Sequence, residues 1–198
     1  MNYSKVYTSL KREALMQAVQ MRMSEKRFKH ILGVEETAVA LAERFDASPE
    51  KASIAALTHD YAKERSDEEF QLAIEQGDYS NKSELLKYGN AIWHGVVGAD
   101  FVARELEITD EEILTAIRLH TTGAAEMNLL DKIIYVADYI EPGRNFPGVE
   151  DARVIAFSDL DQAVAFETKH TLAHLIESET LVYPKTIETY NRWVAGIE

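Results

Sequence analysis

The chain has 198 residues, 46% of them hydrophobic and 28% charged, which is the composition of an ordinary globular protein. It contains no cysteine, which excludes disulfide frameworks, Cys-ligated zinc, iron–sulfur clusters and thiol nucleophiles. Its formal charge of −13 disfavours binding to long polyanions such as DNA or RNA. No apolar stretch reaches the length of a membrane span. We therefore expect a cytoplasmic protein that binds neither a nucleic acid polymer nor a membrane.

The hydrophobic pattern predicts an all-α protein, because apolar residues recur at intervals of three and four rather than two. Helix starts are predicted where a capping residue, a capping box or a proline precedes an apolar run. In chain order they are Ser24 (ending near Phe45), Ser48 with Pro49, Ser66 with Glu69, Thr109 with Glu112, Ser158 with Asp161, and Pro184.

The organisation along the chain predicts one domain over residues 1–198. Its helical core is expected at about 24–141, with extra helices packed on it from the first twenty and the last fifty residues. The one long irregular stretch is EPGRNFPGVED, which contains Pro142 and Pro147. No linker, repeat or low-complexity tract interrupts the chain.

The pair His59-Asp60 closes an apolar helix, SIAALTHD, where a buried carboxylate is costly without a partner. Successive helical residues point about 100° apart, so the two side chains can share one metal ion only from the helix flank, and Asp60 could bridge two ions. By itself the pair is weak evidence, since a capped surface pair has the same sequence.

Asp138 is a lone acid in the otherwise apolar run KIIYVADYI. It either faces water or has a partner, because burying an unpaired carboxylate costs several kcal/mol. A salt bridge to Lys132 or Arg144 is the simple alternative to a metal site.

Four histidines stand at the edges of separate apolar helical segments, and each alone is more commonly a core or cap residue. Taken with the two acids, they form the ligand set for one or two ions such as Fe, Mn, Co, Zn or Mg, which a helix bundle can gather at its centre. The set is His30, His59, Asp60, His94, His120 and Asp138.

The order of these residues resembles the H…HD…D pattern of the HD-domain metallophosphohydrolases, in the branch with two further histidines before the last Asp. Within that superfamily the chain resembles the bacterial YqeK-type symmetrical diadenosine tetraphosphate hydrolases. The similar stretches are RFKHILGV, HDYAK, WHGVVGA, LHTTG, ADYIEPGR and YPKTIETYN. Thr58 departs from the apolar residue that more often precedes the HD pair.

The resemblance implies an HD-domain helical bundle with two metal ions, most often iron. It places His30, His59, Asp60 and Asp138 on one ion, and His94 and His120 on a second ion that Asp60 helps to bridge. Two such ions lower the pKa of a water to give hydroxide, which would attack an inner phosphate of the dinucleoside tetraphosphate and release two ADP. A homodimer is a further implication of the resemblance.

Several other residues are candidates for catalysis or for phosphate binding. Lys63 lies three residues after Asp60, close to one helical turn, and could place an ammonium on a substrate phosphate, although a solvated lysine is the alternative. We assign it to the substrate-binding residues and, with Asp60, to the catalytic residues. Arg27 and Arg144 could clamp phosphate oxygens, although surface salt bridges are the alternative. Hydroxyls and backbone N–H groups at the helix end after His120 could also reach a phosphate, although a plain C-cap explains them equally well; these residues are Thr121, Thr122 and Gly123.

The leading hypothesis is therefore a metal-dependent hydrolase of a small dinucleoside polyphosphate. Two alternatives stay open. One is an HD phosphodiesterase or nucleotidase that acts on another small phosphorylated compound, since metal ligands do not select the substrate. The other is a non-catalytic nucleotide-binding sensor, which the complete ligand set argues against.

Overall fold

The computed structural model describes residues 3–196, and within that range the only regular elements are helices. The all-α prediction is confirmed. In chain order the helices are α1 (Arg12–Gln20), α2 (Glu25–Arg44), α3 (Pro49–Thr58), α4 (Asp67–Gln76), α5 (Lys82–Leu85), α6 (Asn90–Val96), α7 (Gly98–Leu106), α8 (Glu111–Leu119), α9 (Leu129–Ile140), α10 (Val149–Ser158), α11 (Leu160–Glu177) and α12 (Pro184–Trp193).

Four helices begin where local sequence chemistry predicts. The Ser24 side chain accepts the backbone N–H of Arg27 at the start of α2, and Ser48 caps α3 in the same way. Ser66 and Glu69 form a reciprocal capping box before α4, which satisfies two otherwise unpaired backbone donors. Pro184 is the first residue of α12, where its missing N–H costs nothing.

Two predicted helix starts are wrong by one residue. The cap of α8 is Asp110, not Thr109, because the Asp110 carboxylate accepts the N–H of Ile113. The cap of α11 is Asp159, which accepts two backbone N–H groups, whereas Ser158 is the last residue of α10. In both places an aspartate beside the predicted hydroxyl residue supplies the stronger, charged acceptor.

The packing places α2, α3, α8 and α9 around the centre of the molecule. Helix α2 lies against α3 and α9, while α3 also contacts α8. Their facing sides are fully buried and apolar, as at Ile31, Leu41, Ile54, Ile117 and Ile133. This core fixes the relative positions of the helices that present the predicted ligands.

Helices from both ends of the chain cover this centre, as the sequence predicts. Helix α1 packs on α2 and α3, and Arg12 forms a two-pronged contact with the buried carboxylate of Glu35. Helix α11 packs on α9 and α10, and α12 packs on α11. The predicted irregular stretch is shorter than expected, because α10 begins at Val149. Among the described helices, none combines the length and hydrophobicity that crossing a bilayer requires.

Candidate metal centre

Five helical segments bring the six predicted ligands together. His30 comes from α2, His59 and Asp60 from the end of α3, His94 from α6, His120 from the end of α8, and Asp138 from α9. Ligand atoms of His30, His59 and Asp138 lie within 4.8 Å of one another, and so do those of His59, Asp60 and His120. Residues far apart in sequence thus converge on one small volume.

Local backbone contacts orient three of the imidazoles. The Nδ1 atoms of His59, His94 and His120 lie 2.6–2.7 Å from carbonyl oxygens three or four residues earlier in the chain. A carbonyl can only accept, so Nδ1 carries the proton in each ring and Nε2 keeps a free lone pair. All three rings therefore direct a ligand atom away from their own helix.

These free lone pairs have few protein partners. His94 Nε2 and His120 Nε2 are 3.0 Å apart, although both are acceptors and repel one another when the rings are neutral. The buried Nε2 of His59 has no hydrogen-bond partner among the described residues. A cation between such atoms would remove the repulsion between His94 and His120 and would give His59 Nε2 a partner. The donor set therefore fits a metal ion such as zinc or iron.

Asp60 lies at the middle of the cluster and is only 3% exposed. Its Oδ1 is 3.4 Å from His94 Nε2 and 3.8 Å from His120 Nε2. Its Oδ2 is 3.7 Å from His59 Nε2 and 3.8 Å from His30 Nε2. Each oxygen of one carboxylate thus faces a different pair of imidazoles.

Electrostatics hold these groups in the protonation states that metal binding requires. Burial lowers the pKa of His94 to about 3 and that of His120 to about 4, and repulsion from a neighbouring imidazole adds to both shifts. Burial opposes ionisation of Asp60, but the surrounding imidazoles outweigh it and lower its pKa below the usual value. Neutral imidazoles and an ionised carboxylate are the forms that coordinate metals.

Asp138 completes the side of the cluster next to His30. Its Oδ1 lies 3.1 Å from His30 Nε2 and 2.5 Å from an Arg144 nitrogen. Burial works against ionisation, but the contacts with His30 and Arg144 keep the pKa of Asp138 well below its usual range. Of the two salt-bridge alternatives, Arg144 pairs with Asp138, whereas Lys132 pairs with Asp161.

Three basic side chains surround the carboxylates. Arg27 donates to Asp60 Oδ2 at 2.8 Å, and Arg144 contacts Asp138 as described. The Lys63 ammonium lies 3.2 Å from both ring nitrogens of His94, and burial lowers the pKa of Lys63. This local positive charge stands out in a chain whose formal charge is −13.

A cleft of about 780 Å³ opens beside this cluster. Helix α2 forms one wall and the loop after α9 forms the other, and the wall residues include Lys26, Arg27, Lys29, His30 and Arg144. The lining also contains Glu36, Glu64 and Glu141, so its four Lys and Arg side chains leave a small positive excess. This excess suits an anionic ligand, because positive charge in a cleft concentrates anions locally. The volume is in the range of small-molecule sites.

The three predicted residues after His120 have different surroundings. The Thr121 hydroxyl lies 3.1 Å from the Nε2 atoms of both His94 and His120, so it faces the cluster. Thr122 is buried and donates to the Gly123 carbonyl. Gly123 has φ +61°, and a Cβ there would lie 2.6 Å from a Thr189 atom on α12. The Thr189 hydroxyl also donates to the Thr122 carbonyl at 2.8 Å, so Thr122 and Gly123 both contact α12. Substrate binding by these three residues stays a prediction.

Sequence reasoning missed one polar residue beside the site. Glu141 is 4% exposed, and its Oε1 lies 3.1 Å from His30 Nδ1. It stands just after α9, in the stretch ADYIEPGR. The proximity of this stretch to Asp138 was the available signal, but the contact with His30 depends on tertiary packing.

The sequence is similar to those of several known proteins. The HD domain family model matches residues 27–143. A symmetrical bis(5'-nucleosyl)-tetraphosphatase of Bacillus subtilis is 46% identical over 187 residues, covering 94% of this chain and 100% of that protein. Proteins of the same name from Halalkalibacterium halodurans and Staphylococcus aureus are 42% and 41% identical, over 92% and 86% of this chain and 97% and 88% of their own lengths.

A solved structure has the same fold. The crystal structure of a predicted HD superfamily hydrolase involved in NAD metabolism, from Clostridium acetobutylicum, superposes with a TM-score of 0.88. That protein is 35% identical in sequence, and the match covers 100% of both chains.

Proposed function

The chain belongs to the HD domain family, and we propose that it hydrolyses diadenosine tetraphosphate symmetrically to two ADP. The activity follows from three curated relatives that are 41–46% identical over most of their lengths. The structural observation that carries the proposal is the carboxylate of Asp60, whose two oxygens face different pairs of imidazoles. A cytoplasmic location and a homodimer stay predictions.

The proposed centre holds two metal ions, with iron as the first choice and Mn, Co, Zn or Mg as alternatives. His30, His59, Asp60 and Asp138 would hold one ion, and His94 and His120 would hold the other beside Asp60. When bound, such ions act as Lewis acids and lower the pKa of a nearby water. Two observations support this assignment: the Nε2 of His59 has no hydrogen-bond partner in the described part of the chain, and the Nε2 atoms of His94 and His120 lie close together.

The reaction adds one water across the central phosphoanhydride. The water oxygen bonds to one inner phosphorus, the bond from that phosphorus to the bridging oxygen breaks, and the second ADP leaves with that oxygen. The two protons of the water are released to solvent at neutral pH, since each product carries an ionised terminal phosphate. Both products are therefore identical.

The basic side chains of this chain bind and orient the phosphates. Arg27 and Arg144 neutralise Asp60 and Asp138, and their planar donor groups match phosphate oxygens that enter the cleft. Lys63 places an ammonium next to His94, where it can stabilise charge that develops on a phosphate oxygen. Together they offset the repulsion between a tetraphosphate and a negatively charged protein.

The experiment that tests the proposal is incubation of the iron-loaded protein with diadenosine tetraphosphate, followed by separation of the products by ion exchange. We expect ADP as the only nucleotide product. AMP with ATP would contradict the symmetrical cut. Turnover of other phosphorylated compounds alone would support the phosphodiesterase or nucleotidase alternative, and metal-loaded protein without any turnover would support the sensor.

Replacing Lys63 with alanine should lower kcat by roughly 100-fold, the usual effect of losing one preorganised donor at a reacting centre. The metal content should not change, because the ammonium is not a ligand. Steady-state kinetics and metal analysis of the same preparation provide the measurement. Lys169→Ala, on the exposed face of α11, is the matched control for lost charge and should leave kcat unaltered. A Lys63→Ala enzyme with the kcat of the unmodified protein would remove Lys63 from the mechanism.

A further inference from the structure

We propose that Glu141 is a positioning residue of the metal centre, which holds the His30 imidazole so that Nε2 faces Asp138. Its Oε1 lies 3.1 Å from His30 Nδ1, and its Oε2 accepts the N–H of Gly143 at 2.5 Å. Both oxygens of a buried carboxylate are thus used, one on a ligand and one on its own loop. The inference rests on the metal centre of the proposed function.

His30 differs from the other three histidines of the predicted ligand set in the contact that orients its ring. His59, His94 and His120 each place Nδ1 on a backbone carbonyl of their own helical segment. His30 has its Nδ1 on a side chain 111 positions away, Glu141. With a cation on Nε2, the Nδ1 proton of His30 would be donated to Glu141, as the other three rings donate theirs to local backbone carbonyls. A carboxylate acceptor also makes the imidazole a stronger donor to a metal.

Gly33 makes room for this contact. It lies on α2 three residues after His30, and a Cβ at this position would lie 2.5 Å from Glu141 Oε2 and 3.4 Å from Pro142 Cδ. A glycine inside a helix is destabilising relative to alanine. The close approach of the Glu141 carboxylate to α2 explains why the sequence tolerates that cost here.

The loop that carries Glu141 has a second, independent anchor. Arg153 on α10 donates to the carbonyl oxygens of Ile140, Glu141 and Arg144. Arg144 in turn donates to the carbonyl and the carboxylate of Asp138. Loss of the carboxylate removes its contact with the Gly143 N–H, but the hydrogen bonds that Arg153 and Arg144 donate use none of its atoms. The loop should therefore stay in place while the His30 ring is released.

The test is a Mn²⁺ titration of the full chain, with free ion measured by electron paramagnetic resonance. Glu141→Ala should weaken binding roughly 10- to 100-fold, the usual effect of removing the hydrogen-bond partner of a ligating histidine. Glu141→Gln keeps one acceptor oxygen for His30 Nδ1, but its NH2 group would face the Gly143 N–H, so it should recover only part of the affinity and bind more tightly than Glu141→Ala. Glu43→Ala, which removes the same charge from the exposed side of α2, should bind as the unmodified chain does.

Equal Mn²⁺ affinity of Glu141→Ala and the unmodified chain would overturn the inference. If Glu141→Ala fails to fold, Gly33→Ala decides, because it keeps the carboxylate but displaces it, and alanine favours the helix. Several-fold weaker binding by folded Gly33→Ala is expected, and unaltered binding would again overturn the inference. A wild-type chain that binds no Mn²⁺ would instead refute the metal centre itself, and this titration needs no substrate to reveal it.

Discussion

Replacing Asp60 with alanine is expected to lower kcat/KM for diadenosine tetraphosphate by at least about 1,000-fold, because one carboxylate serves both halves of the proposed centre. Oδ1 faces His94 and His120, and Oδ2 faces His30 and His59. No other described carboxylate lies between the two groups, since Asp138 sits on the His30 side alone. The residual rate of product formation, followed by chromatography, measures the loss.

The helices should persist in this variant. Asp60 follows the end of α3, and that helix is held by fully buried apolar residues such as Ile54 and Leu57, which the substitution does not touch. Far-ultraviolet circular dichroism should therefore match that of the unmodified chain. Asp60→Asn is the closer control, since it keeps the volume and should still fail to turn over because an amide lacks the charge. Appreciable turnover by either variant would contradict the assignment of Asp60.

The ligand set could be predicted from sequence because each member breaks a local pattern. Asp60 and Asp138 are acids in apolar helical runs, and His94 and His120 stand at the edges of such runs. A polar group in such a place needs a partner, and this requirement can be recognised without coordinates. The prediction that the six side chains form a centre also used the resemblance to a family, since each residue alone had a simpler explanation.

Contacts between distant residues could not be predicted in the same way. In the sequence Glu141 is an ordinary acid after a helix. Its contact with His30 forms only because α9 packs against α2 and the Glu141 carboxylate approaches Gly33. Gly123 likewise follows a histidine in sequence, but its positive φ and its contact with Thr189 depend on α12. Two predicted cap residues were wrong for a simpler reason. At Thr109 and Ser158 the neighbouring aspartate competes for the same backbone donors.

Removing metal with a chelator is expected to reduce turnover to the uncatalysed background and to lower the melting temperature. The Nε2 atoms of His94 and His120 lie 3.0 Å apart, and that of His59 is buried with no hydrogen-bond partner in residues 3–196, so removal of a cation would leave these lone pairs without a positive partner. A ligand that binds only the folded state stabilises it by about 4 kcal/mol when its free concentration is about 1,000 times Kd. The chelated chain should lose stability of that order, although the apolar core remains.

The measurement pairs product formation with thermal unfolding, before chelation, after chelation and after addition of Fe²⁺ under anaerobic conditions. Fe²⁺ should restore both the rate and the melting temperature, whereas a chain with Asp60→Ala should respond weakly to either treatment. This comparison separates metal bound at the centre from metal bound elsewhere, because only the former depends on Asp60. A chelated protein that still converts the substrate to ADP would show that the six converging side chains do not act through a metal.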